Sequence, residues 1–167
     1  MPDLTPSERL QPCLLDRLTD DEPEKKQESR DARVISLSRY RQAVLRDISW
    51  VLNTVAHSAG DEIYEFDHVA CSVLNFGVPN VCGLSQRGQL GEDLEQRILN
   101  AIRMFEPRVL ENSVSIRSVF DEEEMASTAV MFEIAGELWA QPANAVLYIK
   151  TSLDLETGHS NLVRGDA

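Results

Sequence analysis

The sequence predicts an α+β fold, with N-terminal helices packed on a small antiparallel sheet formed by the C-terminal half. Three observations carry this. Apolar residues recur every three or four positions across 40–55 and again across 94–105, the spacing of a half-buried helix. From about residue 113 the pattern changes to alternation, the mark of strands with one buried face. The connections between the alternating runs are short, which favours an antiparallel meander.

Residues 1–33 read as a mobile arm and a charged linker. Leu14-Leu15-Asp16-Arg17-Leu18 can form a single helical turn. Residues 19–33, TDDEPEKKQESRDAR, mix charges without an apolar anchor and read as solvated. The arm's leucines have little to bury against locally, so the arm docks either on the body or on another protein. A single domain is expected over 34–157. Residues 158–167 are expected to form a tail that frays after the last strand.

The first long helix begins near Ser36 or Ser38, either of which can cap it. Tyr40, Val44, Leu45, Ile48, Val51, Leu52 and Val55 follow helical spacing. A shorter helix fits Phe66, Val69, Ala70, Val73 and Leu74, with Gly77 available for the left-handed position beyond its end. Strand is the rival reading, because VACSVL also suits β structure. VPNVCGLSQRG is a loop. The next helix spans about 91–105, with Leu94, Ile98, Ala101, Ile102 and Phe105 on one face and Glu92 and Asp93 at its positive end.

Three strands follow. Val114 and Ile116 alternate with serines and Arg117; Thr128, Val130, Phe132 and Ile134 make a second run; Ala145 to Leu153 makes a third. Asp121-Glu122-Glu123-Glu124 reads as a solvated connection. Gly136 and Pro142 are placed between the second and third strands.

The 167 residues suit one domain with length to spare for tails. The formal charge is −12, with no basic stripe, so nucleic acid and anionic membrane surfaces are poor partners. Cys13, Cys71 and Cys82 are odd in number and form no C-x-x-C, which fits a reducing compartment rather than a disulfide framework. The first residues, MPDLTPSERL, lack the pattern of a signal peptide, and no apolar run approaches a membrane span. The expected location is cytoplasmic.

Glu106-Pro107-Arg108 stands at the exit of the second long helix. Proline ends the helix and pushes its predecessor toward extended geometry. A carboxylate there faces the negative end of the helix dipole. In an extended segment residues two apart share a side, so Arg108 can pair with Glu106 and also reach the last helical carbonyls. The triplet is either a helix stop or a rigid charged bend offered to a partner.

Three stretches carry a family resemblance: RLQPCLLDRLTDDEP at 9–23, SVLNFGVPN at 72–80 preceded by VLRDISWVLNT at 44–54, and FEPRV at 105–109. Together they resemble the TssE family of type VI secretion baseplate subunits, which lies within the contractile-phage baseplate wedge proteins often labelled lysozyme-like. The resemblance runs from residue 9 to about 155. Cys13 stands where a serine is more usual. It implies a structural role without cofactor: joining TssF and TssG in the wedge and offering a platform for the TssB–TssC sheath, at a baseplate docked on the inner membrane. It also implies that Glu106, Pro107 and Arg108 serve wedge assembly, and that Leu14, Leu15, Arg17 and Leu18 belong to the diagnostic arm. A partner strand from the sheath can extend a sheet edge, and residues 145–153 are the expected edge, since Val146 and Tyr148 make its second face partly apolar. The rival reading is that the helices cover that face.

The alternative function is a peptidoglycan hydrolase. Glycoside hydrolysis usually needs two carboxylates, one with a raised pKa. Glu62, Glu65, Asp67 and Glu106 are the candidates by number, but a neighbouring Arg108 would move the pKa of Glu106 the wrong way. His68 and Cys71 are spaced to share a metal on a helix, yet no second close pair completes a site.

Overall fold

The structure, a computed structural model, describes residues 10, 12–19, 23–24, 35–58, 60–80, 87–119, 129–140 and 145–164. Helices α1 (Leu14–Leu18), α2 (Leu37–Leu52), α3 (Asp67–Ala70) and α4 (Arg87–Phe105) precede strands β1 (Ser115–Val119), β2 (Ala129–Leu138), β3 (Ala145–Asp154) and β4 (Ser160–Arg164). The strands make one antiparallel sheet in the order β1-β2-β3-β4. The fold is α+β, as the two periodicities require.

α2 starts where the Ser36 hydroxyl accepts the Arg39 N–H at 3.2 Å. α4 begins at Arg87, earlier than its apolar spacing indicates. Gly88 and Gly91 in its first turns are weak helix formers, which hides that start. Val44, Ile48 and Val51 of α2 and Leu94, Ile98 and Ile102 of α4 are buried. They join Phe132, Ile134 and Leu138 of β2 and Leu147 and Ile149 of β3 in one core. The helices therefore cover one sheet face. On the opposite face Val146 is exposed, so the helices do not cover the partly apolar second face of β3.

Several expectations need correction. The stripe from Phe66 to Leu74 forms neither one helix nor a strand: a 3-10 turn (Glu62–Glu65), α3 and a second 3-10 turn (Val73–Asn75) follow one another. Phe66, Val73 and Leu74 are 60%, 79% and 68% exposed. The segment closes on its own polar groups instead. Buried Asn75 accepts the His57 N–H at 3.0 Å and donates to the Ala70 carbonyl at 2.9 Å. Its ends meet in a parallel bridge between Val55 and Val78. Gly77 serves that closure rather than a helix end. Its φ is +122°, and a Cβ there would collide with the backbone carbonyl of Thr54.

Gly136 lies inside β2, not in a connection. A Cβ on it would meet Val109 Cγ1 at 3.0 Å, so the glycine admits the chain leaving α4. Residues 160–164, expected to fray, form β4 against β3. Ser160 and Thr151 are both buried, with their hydroxyls 2.7 Å apart, so a polar residue occupies an inward position. β4 also corrects the expected edge: it covers residues 149–153 of β3. The acidic run 121–124, Cys82, Pro142 and most of the linker 19–33 lie outside the described residues.

Candidate functional site

Glu106-Pro107-Arg108 forms a turn, not an extended segment. The last helical bond of α4 runs from Glu106 N–H to the Ile102 carbonyl at 2.9 Å. Val109 N–H then donates to the Glu106 carbonyl at 3.1 Å, placing Pro107 at the second turn position, where its fixed φ fits. After the turn the chain joins the end of β2. Val109 bridges Leu138, Leu110 N–H reaches the Glu137 carbonyl, and Trp139 N–H reaches the Arg108 carbonyl, both at 2.8 Å. The turn is thus fixed to the helix on one side and the sheet on the other. Pro107 is exposed at its tip.

The expected pair forms. Arg108 Nε donates to Glu106 Oε1 at 2.7 Å and Arg108 Nη2 to Glu106 Oε2, a two-pronged contact. The Arg108 N–H also donates to Oε1, at 3.2 Å. Glu106 is only 2% exposed. The other expectation was that Arg108 would reach the carbonyls ending α4. Its guanidinium instead reaches back to α2, where Nη2 contacts Asp47 Oδ2. Burial works against the charge on Arg108, but the hydrogen bonds and negative charges of Glu106 and Asp47 outweigh it and hold its pKa above the ordinary value.

Asp47 is shared. Its Oδ1 accepts from Arg46 Nε at 2.8 Å, and Arg46 Nη1 pairs with Asp16 Oδ1 at 2.6 Å. Asp16 belongs to α1. Five side chains therefore alternate in charge from the arm to the turn: Asp16, Arg46, Asp47, Arg108, Glu106. The Asp47 bonds, with burial opposing and Asp16 adding, raise the Arg46 pKa. Buried Tyr40 lies beside the turn, with its hydroxyl on the Trp139 carbonyl at 3.0 Å. Burial, with Arg108 opposing and Glu106 adding, pushes its pKa up.

The arm is held in an unusual way. Ile35 N–H donates to the Leu10 carbonyl at 3.1 Å, and the Leu10 side chain packs against the core. Beyond it α1 buries no residue. Asp16 turns toward α2, whereas Leu14 and Leu18 are 72% and 74% exposed and Leu15 and Arg17 are also exposed. A pocket of about 230 Å³ separates the arm from α2, between Asp16, Thr19, Ile35, Arg39 and Arg46. So α1 touches the body with a charge and shows its leucines to solvent.

The sequence singled out Glu106, Pro107, Arg108 and the arm residues, and the structure brings the two groups to one side of α2. It missed Asp16, Arg46 and Asp47. A signal existed: Asp47 occupies the i+3 position of the stripe Val44, Ile48, Val51, where an apolar residue belongs. Among the hydrolase candidates, Glu106 is enclosed and its carboxylate is held by a guanidinium, the reverse of a general acid's setting. Glu62, Glu65 and Asp67 are exposed. Among the described residues no cluster of three or more His, Cys, Asp or Glu can hold a metal ion, and no helix is long and apolar enough to cross a membrane.

A search of curated proteins found no match. Residues 38–143 match the family described as baseplate wedge protein gp25, a span that starts in α2, runs through α4 and the turn, and takes in β1 and β2. That span covers well over half of the chain, and the chain therefore belongs to the baseplate wedge protein gp25 family.

Proposed function

We propose that this chain is a TssE-like wedge subunit of a type VI secretion baseplate, a scaffold that joins TssF and TssG and starts the TssB–TssC sheath. It works in the cytoplasm, at a baseplate docked on the inner membrane. Membership of the wedge family supports the structural role. One observation carries the finer reading. The arm, the stretch most diagnostic of TssE, meets the Glu106-Pro107-Arg108 turn, which marks the wider wedge family, on α2 through Arg46 and Asp47. In this reading the Glu106-Pro107-Arg108 turn forms one contact with the wedge partners, through exposed Pro107 and the rim of Arg108 with enclosed Glu106 holding the turn's shape, and Leu14, Leu15, Arg17 and Leu18 form another.

The test is a pull-down with TssF and TssG using the native chain, Arg108→Ala, and Leu14→Ser/Leu18→Ser, each checked for folding by circular dichroism. A folded variant that loses the complex supports the reading. Full assembly by every folded variant reduces the triplet to a helix stop and the leucines to bystanders. Failure of the native chain to bind either partner removes the TssE assignment, and peptidoglycan turnover is then the next assay.

For the sheath platform, the edges of the sheet favour β4. At β1, Glu95 of α4 accepts the Ser118 N–H at 2.6 Å and so occupies an outward-facing donor. At the upstream end of β3, Arg41 takes the Val146 carbonyl at 2.7 Å. At β4, Asn53 holds the first residue, accepting the Ser160 N–H and donating to its carbonyl, both at 2.9 Å. Alternation then turns the Leu162 N–H and carbonyl outward, where a sheath strand can add. Leu162→Pro removes that donor without touching the β3 ladder. Normal sheaths assembled on the folded variant would sink the β4 platform.

A further inference from the structure

Asp47 is the one carboxylate in the chain of five that contacts two guanidiniums, Arg46 through Oδ1 and Arg108 through Oδ2. Removing its charge leaves two cations facing each other with no anion between them. Each would then be held from one side only, Arg46 by Asp16 and Arg108 by Glu106. Among the described residues the arm has little else to hold it beyond Leu10: α1 buries no residue, and a pocket rather than packed side chains lies beneath it. Its position therefore depends on where Arg46 points, and Arg46 is aimed by Asp47. Trp50 supports that aim from the side, with its ring face 4.9 Å from the Arg46 guanidinium in a cation–π contact.

We propose that Asp47 is a positioning residue that joins the arm to the Glu106–Arg108 turn, so that the two surfaces are ordered together. Its consequence for assembly rests on the wedge-contact reading above; the coupling itself is a property of the isolated chain. A partner that binds the turn thereby also meets the leucines of α1 in a set position, and the two contacts act as one bipartite surface.

Hydrogen exchange on the isolated full chain tests this. Asp47→Asn should speed exchange roughly fivefold, equivalent to about 1 kcal/mol, both at the arm amides of Arg17 and Thr19 and at the turn amides of Val109 and Leu110. Core amides of β2 and β3 should keep native rates. Arg46→Gln should speed the arm most and the turn more weakly, because coupling between the two is reciprocal. Native arm rates in folded Asp47→Asn overturn the proposal. Should Asp47→Asn not fold, Asp47→Glu, which displaces the carboxylate by one methylene, decides: a change at both ends supports the proposal, whereas a change at one end or at neither overturns it. The same variants are run against TssF and TssG. Native binding with an uncoupled arm refutes the proposal and leaves the wedge reading standing. A coupled arm with no native binding does the reverse.

Discussion

Arg108 and Asp47 are paired across 61 residues of sequence, and this contact links the exit of α4 to the middle of α2. Glu106 completes the pair from the other side and is enclosed. An ion pair in such a place stabilises only while both partners are present, because a lone buried carboxylate has lost its water.

Arg108→Ala should therefore cost about 3 kcal/mol or more of folding stability, since it leaves Glu106 buried and unpaired. Arg108→Met combined with Glu106→Leu should recover most of that loss, because no charge is then stranded. Urea denaturation of the two variants checks this. Equal losses in both would mean that packing, not charge pairing, decides stability at the turn.

Docking of the arm should depend on acid. Burial works against the Asp16 carboxylate, but hydrogen bonds from Cys13 and Arg46 outweigh it and hold its pKa below the ordinary 3.8. The undocked arm thus takes up a proton more readily than the docked arm. The contribution is complete above the ordinary value and is lost as pH falls below it through the docked pKa. Nuclear magnetic resonance of the Thr19 amide should follow this step, and Asp16→Asn should remove it. An arm signal unaffected by that substitution would place the attachment elsewhere.

Gly60 and Gly77 share a positive φ but should differ in tolerance. Nothing surrounds the Cβ position of Gly60, so Gly60→Ala costs only backbone strain, about 1 kcal/mol. Gly77→Ala adds a collision with the Thr54 backbone and should cost about 3 kcal/mol or more. Thermal unfolding of both variants gives the comparison. Equal Tm values would show that the chain shifts to relieve the collision.

Leucines of the arm and of the sheet should behave oppositely. Leu138 is fully buried, and Leu138→Ala should cost about 2–5 kcal/mol. Leu18→Ala should change stability by less than about 0.5 kcal/mol, because Leu18 touches solvent. Calorimetry on the two variants separates a fold residue from a surface one.

The sequence made the two long helices and the first three strands legible because each has one buried face repeated often enough to set a period. β4 was hidden because its residues before Leu162 are polar and its inward Ser160 is satisfied by a hydroxyl on β3 rather than by apolar contact. The stripe from Phe66 to Leu74 misled for the opposite reason: it has helical spacing, but Asn75 and the Val55–Val78 bridge satisfy the backbone locally and leave its side chains outside. At the site, the Glu106–Arg108 pair was legible because its members are two residues apart. Asp47 was not, because nothing local says which distant cation an acid in an apolar stripe will meet.

The Val55–Val78 bridge also makes the segment between its ends a natural handle. Because both ends are clamped to the body, changes within the segment need not propagate to the sheet. Cys71 lies on it as an exposed free thiol. With Cys13 and Cys82 replaced by serine, a fluorophore attached there would ride with the body, giving a reporter of wedge incorporation that leaves both proposed contact surfaces unmarked.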